Sequence, residues 1–190
     1  MSINIVLCGV GGQGTVLASK IMAKAVMNKG LKVMSAETIG MAQRGGSVFS
    51  FLKIGDDLVS SMIGKGSADI ILGFEPGETV RMLPYLKEGG SIVVNSRAVK
   101  PTTATLGGVD YRGEEMVDYL KDNISDLTIV DGDIACEELG SSKVLNVVLL
   151  GAAVRTGRLG LSEEDIKEAM KETVKEKFLE LNYKALNYSA

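Results

Sequence analysis

Apolar and polar positions along this chain switch between a strand-like and a helix-like period, and the switches mark its elements. The run from Asn4 to Val10 is short enough for one buried strand. It breaks into Gly11-Gly12-Gln13-Gly14, after which Thr15 to Asn28 repeats with helical spacing. Leu31 to Ala36 predicts a second strand ending at Glu37, and Ser47 to Ile54 alternates as a third. What separates them, Thr38 to Gly46, is a polar, glycine-rich loop where a crossover helix would be usual. Asp56 to Ser61 reads as a short strand or a turn. Ala68 to Gly73, with Ile70-Ile71-Leu72 inside it, predicts a central buried strand.

Glu75-Pro76-Gly77-Glu78 then opens a helix that runs to about Leu86, and Ser91 to Asn95 is the next strand. Ser96 to Tyr111 has no clear period and predicts a loop or a small surface hairpin. Glu114 to Asp122 reads as a helix and Leu127 to Val130 as the last strand. Lys143 to Arg155 is an almost wholly apolar helix, buried in the core or against another subunit. Ser162-Glu163-Glu164-Asp165 caps a long final helix, whose lysines and glutamates from Lys167 to Glu176 form a solvated face. Alternating strands and helices predict a three-layer α/β/α sandwich around a mostly parallel, Rossmann-like sheet. The missing helix near Ser47 to Ser61 leaves room there for a short or antiparallel edge. At 190 residues the chain is expected to form one domain, residues 1–190.

Composition removes several classes of function. A formal charge of -3 argues against a basic nucleic-acid surface or an anionic-membrane patch, and 5% aromatics argues against a single-strand stacking platform. No apolar stretch reaches the length of a membrane span and no basic segment leads into an apolar core, so the chain is expected to be cytoplasmic. There is no histidine, hence neither the commonest general base nor the commonest metal ligand. Cys8 and Cys136 are too few for an ordinary four-cysteine iron–sulfur cluster, and Cys8 reads as a small buried hydrophobe. Asp131-Gly132-Asp133 invites a thiamine-type magnesium motif, but the second glycine is missing and Asn146 is too near. It predicts instead a turn and cap before a helix from about Ile134.

The candidate chemistry lies at two loops. Gly9, Gly11 and Gly14 fit G-x-G-x-x-G between a strand and a helix: one glycine for the tight turn, one for a pyrophosphate's approach, one for close packing. The helix would aim unpaired N–H groups at an anion. Glycines at such a corner also serve packing alone. Glu37 stands about twenty residues further on, where dinucleotide folds bind a ribose hydroxyl. Gln43-Arg44-Gly45-Gly46 would let backbone and guanidinium approach one ligand, although an exposed arginine in a solvated turn reads the same way.

Together, Gly9-Val10-Gly11-Gly12-Gln13-Gly14 and Glu37-Thr38-Ile39-Gly40-Met41-Ala42-Gln43-Arg44-Gly45-Gly46-Ser47-Val48 resemble the gamma-type domain of the 2-oxoacid:ferredoxin oxidoreductases. Within that family the chain is most similar to the free-standing beta subunit of the indolepyruvate enzymes, over nearly its whole length. The resemblance implies a complex that oxidatively decarboxylates arylpyruvates, joins the acyl group to coenzyme A and passes electrons to ferredoxin. It implies a larger alpha subunit holding thiamine diphosphate, magnesium and iron–sulfur clusters. This chain would then be a non-catalytic partner, inactive alone and with no tightly bound cofactor of its own. Gly9, Gly11, Gly12, Gln13, Gly14, Glu37, Gln43, Arg44, Gly45 and Gly46 are the residues expected to contact coenzyme A or the region near the thiamine cofactor.

Two other readings stay open at this level. An independent NAD-dependent oxidoreductase would use the glycine fingerprint and Glu37, with tyrosine or lysine for proton transfer. A pure interaction module would use the glycines for packing and dock a partner on the apolar Val144 to Leu150 face.

Overall fold

The computed structural model describes residues 2–38, 45–100 and 111–189. Six strands form one sheet: β1 (Ile3–Val10), β2 (Val33–Glu37), β3 (Ser47–Ile54), β4 (Ala68–Gly73), β5 (Leu86–Asn95) and β6 (Leu127–Val130), in the order β2-β3-β1-β4-β5-β6. β1, β4, β5 and β6 pair in parallel, and β3 runs antiparallel to both its neighbours. The antiparallel strand is therefore not an edge. It lies inside the sheet between β2 and β1, paired antiparallel to both.

Helices α1 (Thr15–Asn28), α5 (Leu145–Arg155), α6 (Glu163–Thr173) and α7 (Leu179–Leu186) cover one face. On the other lie α2 (Pro76–Met82) and α3 (Gly113–Asn123), with Met82 and Leu120 buried against Val6, Phe51, Ile71 and Ile92. α4 (Gly132–Glu138) follows β6. The expected three layers are present.

The first helix shows how sequence sets an element. Ala18, Ile21, Met22 and Ala25 fall on one buried stripe. The helix stops at Gly30, which takes φ 74° while its N–H bonds the Met27 carbonyl and that of Leu31 the Val26 carbonyl, a left-handed C-cap that glycine adopts without strain.

Several boundaries differ from expectation. The helix from Pro76 is short, ending in a 3-10 turn over Leu83–Tyr85 at Pro84, and β5 starts at Leu86 rather than Ser91. No strand forms over Asp56 to Ser61. The final helix is broken at Val174, which is extended, so that Leu179–Leu186 can fold back on α5. Within the solvated face, Glu172 pairs with Lys24 of α1 at 2.8 Å. The Val144 to Leu150 segment is not a docking face: Val144 and Asn146 to Leu150 are buried in the chain's own core. No helix among the described residues is long and apolar enough to cross a membrane.

Candidate functional site

The ends of β1 and β4, where the chain turns to opposite faces of the sheet, form the crevice in which α/β folds bind ligands. Gly9 closes β1 at close quarters: a Cβ there would stand 2.7 Å from both Gln13 Oε1 and Phe74 Cβ. Gly12 takes φ 106°, and Gly14 takes φ 86° as the N-cap of α1, where no side chain caps the helix. The turn therefore leaves the positive end of α1 without a side-chain partner.

The two glycine loops are neighbours. The Gly11 N–H donates to the Gly46 carbonyl at 2.8 Å and the Gly45 N–H to the Gly11 carbonyl at 3.2 Å, continuing the β1–β3 ladder past its last pair, Val10 with Ser47. Gln43 and Arg44 lie outside the described residues. Beside this junction runs a groove of about 440 Å³, lined by Gly11, Gly12, Gly14, Thr15, Lys20 and Glu37 among others. Glu37 thus meets the glycine loop, although β3 separates its strand from β1. It stands two strand spacings away, about 10 Å, rather than one.

Gln13 does something the sequence did not announce. Its Oε1 accepts the Val10 N–H at 2.7 Å and its Nε2 donates to the Phe74 carbonyl at 2.9 Å. The amide lies across the gap between β1 and β4, where a dinucleotide fold would admit a pyrophosphate. Asn95 donates to the same Phe74 oxygen at 3.2 Å and accepts from the Gly132 N–H at 3.1 Å. Asn146 donates to the Gly14 carbonyl at 3.5 Å. Gln13 and Asn146 hold the glycine turn, and Asn95 ties the end of β4 to the start of α4.

Sequence reasoning also missed two buried acids. Glu75 stands two residues past the end of β4 and caps α2, accepting the Glu78 N–H at 2.9 Å and the Tyr111 hydroxyl. Burial pushes its carboxyl above the ordinary range, against opposing hydrogen bonds from Tyr111, Glu78 and Val99. Glu78 accepts from the Ser47 hydroxyl at 2.6 Å and pairs with Arg81 at 3.0 Å, so it holds the foot of the second glycine loop. The signal was there: an acid two residues past an apolar central strand stands at the carboxyl end of the sheet. Cys8 is buried and its thiol is pushed far up by desolvation, which leaves it inert. Among the described residues no cluster of three or more acids and cysteines could hold a metal.

The molecule is thus a doubly wound α/β fold with a glycine-lined groove at its carboxyl rim, bordered by backbone and side-chain amides. The chain belongs to the pyruvate ferredoxin/flavodoxin oxidoreductase family, whose model matches residues 4–190. It is similar to indolepyruvate oxidoreductase subunit IorB of Thermococcus kodakarensis, with 37% identity over 96% of this chain and 91% of that one. To the pyruvate/ketoisovalerate oxidoreductases common subunit gamma of the same organism it is 33% identical, covering 96% and 92%. Among solved structures it resembles the gamma subunit of keto/oxoacid ferredoxin oxidoreductase from Geobacter sulfurreducens PCA, at TM-score 0.69 and 29% identity over 97% of this chain and 94% of that one.

Proposed function

We propose that this chain is the small, non-catalytic subunit of a 2-oxoacid:ferredoxin oxidoreductase of the indolepyruvate or arylpyruvate type, forming one domain over residues 1–190 and working in the cytoplasm. The observation that carries this reading is the 37% identity to IorB over 96% of the chain, higher than the 33% to the shared gamma subunit. The chemistry of the chain agrees. With no histidine and two cysteines it has no ligand set for iron–sulfur clusters and no thiamine motif, so those groups and magnesium belong to a larger alpha subunit. Electrons would leave through that subunit to ferredoxin, and coenzyme A would serve as cosubstrate of the complex.

The chain's own contribution is the carboxyl rim. The α1 N-terminus, the Gly11-Gly12 backbone and the Lys20 ammonium suit a phosphate-bearing chain such as that of coenzyme A. Gly9, Gln13 and Gly14 set the shape of the turn, and Glu37, Gly45 and Gly46 border it; Gln43 and Arg44, just before Gly45 in sequence, are proposed to contact the same ligand. The rim would complete the alpha subunit's site.

The test is to purify the chain at native abundance with whatever accompanies it, then assay coenzyme-A-dependent reduction of a low-potential dye by indolepyruvate. Co-purification of a larger brown subunit with that activity is expected. A chain that came alone, colourless and inactive, yet bound a nicotinamide nucleotide, would replace this reading with the dehydrogenase one.

A further inference from the structure

The sheet ends at β6, whose four residues, Leu127 to Val130, include no charge and no proline and pair without a bulge. Its inner edge is bonded to β5: the Ile92 N–H donates to the Asp126 carbonyl at 2.8 Å and the Ser96 N–H to the Val130 carbonyl at 2.9 Å. In a parallel ladder that spacing turns the backbone groups of residues 126, 128 and 130 toward β5, and the N–H and C=O groups of Leu127 and Ile129 away from it. Among the described residues nothing bonds those outward groups. Edge strands that must stay unpaired are blunted by charge, proline, a bulge or shortness, and β6 has only its shortness.

The two faces of the strand differ. Leu127 packs with the layer of α2 and α3 and Val130 with that of α1 and α5, so by alternation Ile129 shares the first face and Thr128 the second. Ile129 is 37% exposed, which leaves its side chain available to a neighbour. Beside Thr128 a cleft of about 260 Å³, lined by Val148, Ala152, Arg155 and Tyr188 among others, leaves open space along the strand. Asp126, the charge that flanks β6, is paired with Arg158 at 2.7 Å.

We infer that this edge is where two copies of the chain pair, antiparallel about a two-fold axis at Thr128, joining their six-stranded sheets into one. The occupant follows from register. Leu127 and Ile129 flank Thr128 symmetrically, so a second copy run antiparallel about that residue sets its Ile129 opposite Leu127 and its Leu127 opposite Ile129. Each pair exchanges both of its N–H···O bonds, and no outward group is left over. Thr128 meets Thr128 of the second copy as a close, non-hydrogen-bonded pair, a favourable cross-strand combination, while the leucines and isoleucines cover one another. Asp126 falls opposite Val130, so no acid faces an acid. A strand of another protein could take the same hydrogen bonds, but the second copy brings the matching side-chain pairs with it. The inference does not depend on which complex the chain joins.

A contact this short is small, so association is expected only at high concentration, with half of the chain paired at about 100 μM. The experiment is sedimentation velocity on the full chain from about 1 μM to about 500 μM, with circular dichroism to follow folding. It compares wild type, Thr128→Lys, Thr128→Glu and an equimolar mixture of the two variants. Wild type is expected to pass from monomer to dimer. Either variant alone sets like charges against each other at the two-fold axis and should dimerise about tenfold more weakly or worse, whereas in the mixture a lysine meets a glutamate and dimers should return. Wild type that stays monomeric throughout overturns the inference. So does a variant that dimerises like wild type, or a mixture that associates no better than its parts, since either would remove Thr128 from the axis. If the variants do not fold, amide exchange in wild type serves: the Leu127 and Ile129 N–H groups, free in the monomer, should exchange roughly threefold more slowly at the highest concentration than at the lowest. Exchange there that ignores concentration overturns the pairing equally.

Discussion

Gln13 donates to the carbonyl of Phe74, 61 residues further along, and so ties the turn after β1 to the end of β4. Its other amide atom takes the Val10 N–H, so the side chain occupies the crevice it closes. A glycine fingerprint that in isolation reads as a dinucleotide turn is here filled from within, and the open groove lies beside it, between Gly11 and Glu37.

Gln13→Ala is expected to destabilise the chain by about 1–3 kcal/mol, because the Val10 N–H is left without its partner and Phe74 loses one donor. Urea denaturation measures this. An unchanged midpoint would mean that water replaces the amide at no cost and that the turn does not rely on it.

Gly151 lets α5 and α7 touch: a Cβ there would lie 2.1 Å from the Leu186 carbonyl oxygen. Gly151→Ala is expected to cost ~3 kcal/mol by forcing the helices apart. Gly140 has φ 69° and open space around it, so Gly140→Ala should cost only backbone strain, about 1 kcal/mol. Equal melting temperatures for the two variants would contradict the packing role of Gly151.

Two acids should respond to pH with opposite sign. In Asp165 desolvation acts upward, but hydrogen bonds from the Ser162 backbone and hydroxyl and from Lys29 outweigh it and hold the carboxyl below its usual range. Its stabilising contribution is present above the unfolded value of 3.8 and is lost as pH falls through the lower folded value. Glu75 is raised, so its contribution is present below 4.5 and is lost as pH rises through the folded value. Stability measured from about pH 7 down to about pH 2 should therefore tilt in opposite directions in Asp165→Asn and Glu75→Gln, relative to wild type. Parallel tilts would show that one of the two environments is misread.

Lys20 borders the groove near the N-terminus of α1. In the assembled complex, Lys20→Ala should raise the KM for coenzyme A by about tenfold while kcat changes little, the signature of a lost contact to a charged group. Loss of assembly with unchanged KM in the remaining complex would assign the groove to the subunit interface instead.

Removing the cap of α6 gives an independent check on its start. Ser162 accepts the Asp165 N–H at 3.2 Å while Asp165 accepts the Ser162 N–H at 2.8 Å. Ser162→Ala should cost about 1 kcal/mol. A neutral result in chemical denaturation would mean that α6 is held by its packing on α1 alone.

Much of the fold was legible in the residues. Thr15–Asn28, Ser47–Ile54 and Ala68–Gly73 begin and end where period and glycine place them, and the Ser162 cap stands where its serine and acids put it. The errors have a common cause. Nothing in the alternation of Ser47 to Ile54 says that this strand enters the sheet between β2 and β1, since its register is set by pairing on both sides. The break at Val174 answers to the return of α7 onto α5, while the lysines and glutamates on either side would suit a continuous helix. The apolar run from Val144 to Leu150 carries no mark of whether its neighbour is another subunit or its own sheet; the core settles it.

The candidate site divides in the same way. The glycine loops were visible because positive φ and close approach demand glycine locally, and the poverty in histidine and cysteine was visible because composition needs no structure. The tie from Gln13 to Phe74, and the hold of Glu75 on Tyr111, 36 residues away, were not. By itself the sequence determined the periods, caps and turns, which depend on residues within a few positions of one another. The tertiary structure alone decided which strand ends meet and which amides and acids face each other across them, because those contacts exist only once the sheet has brought distant segments together.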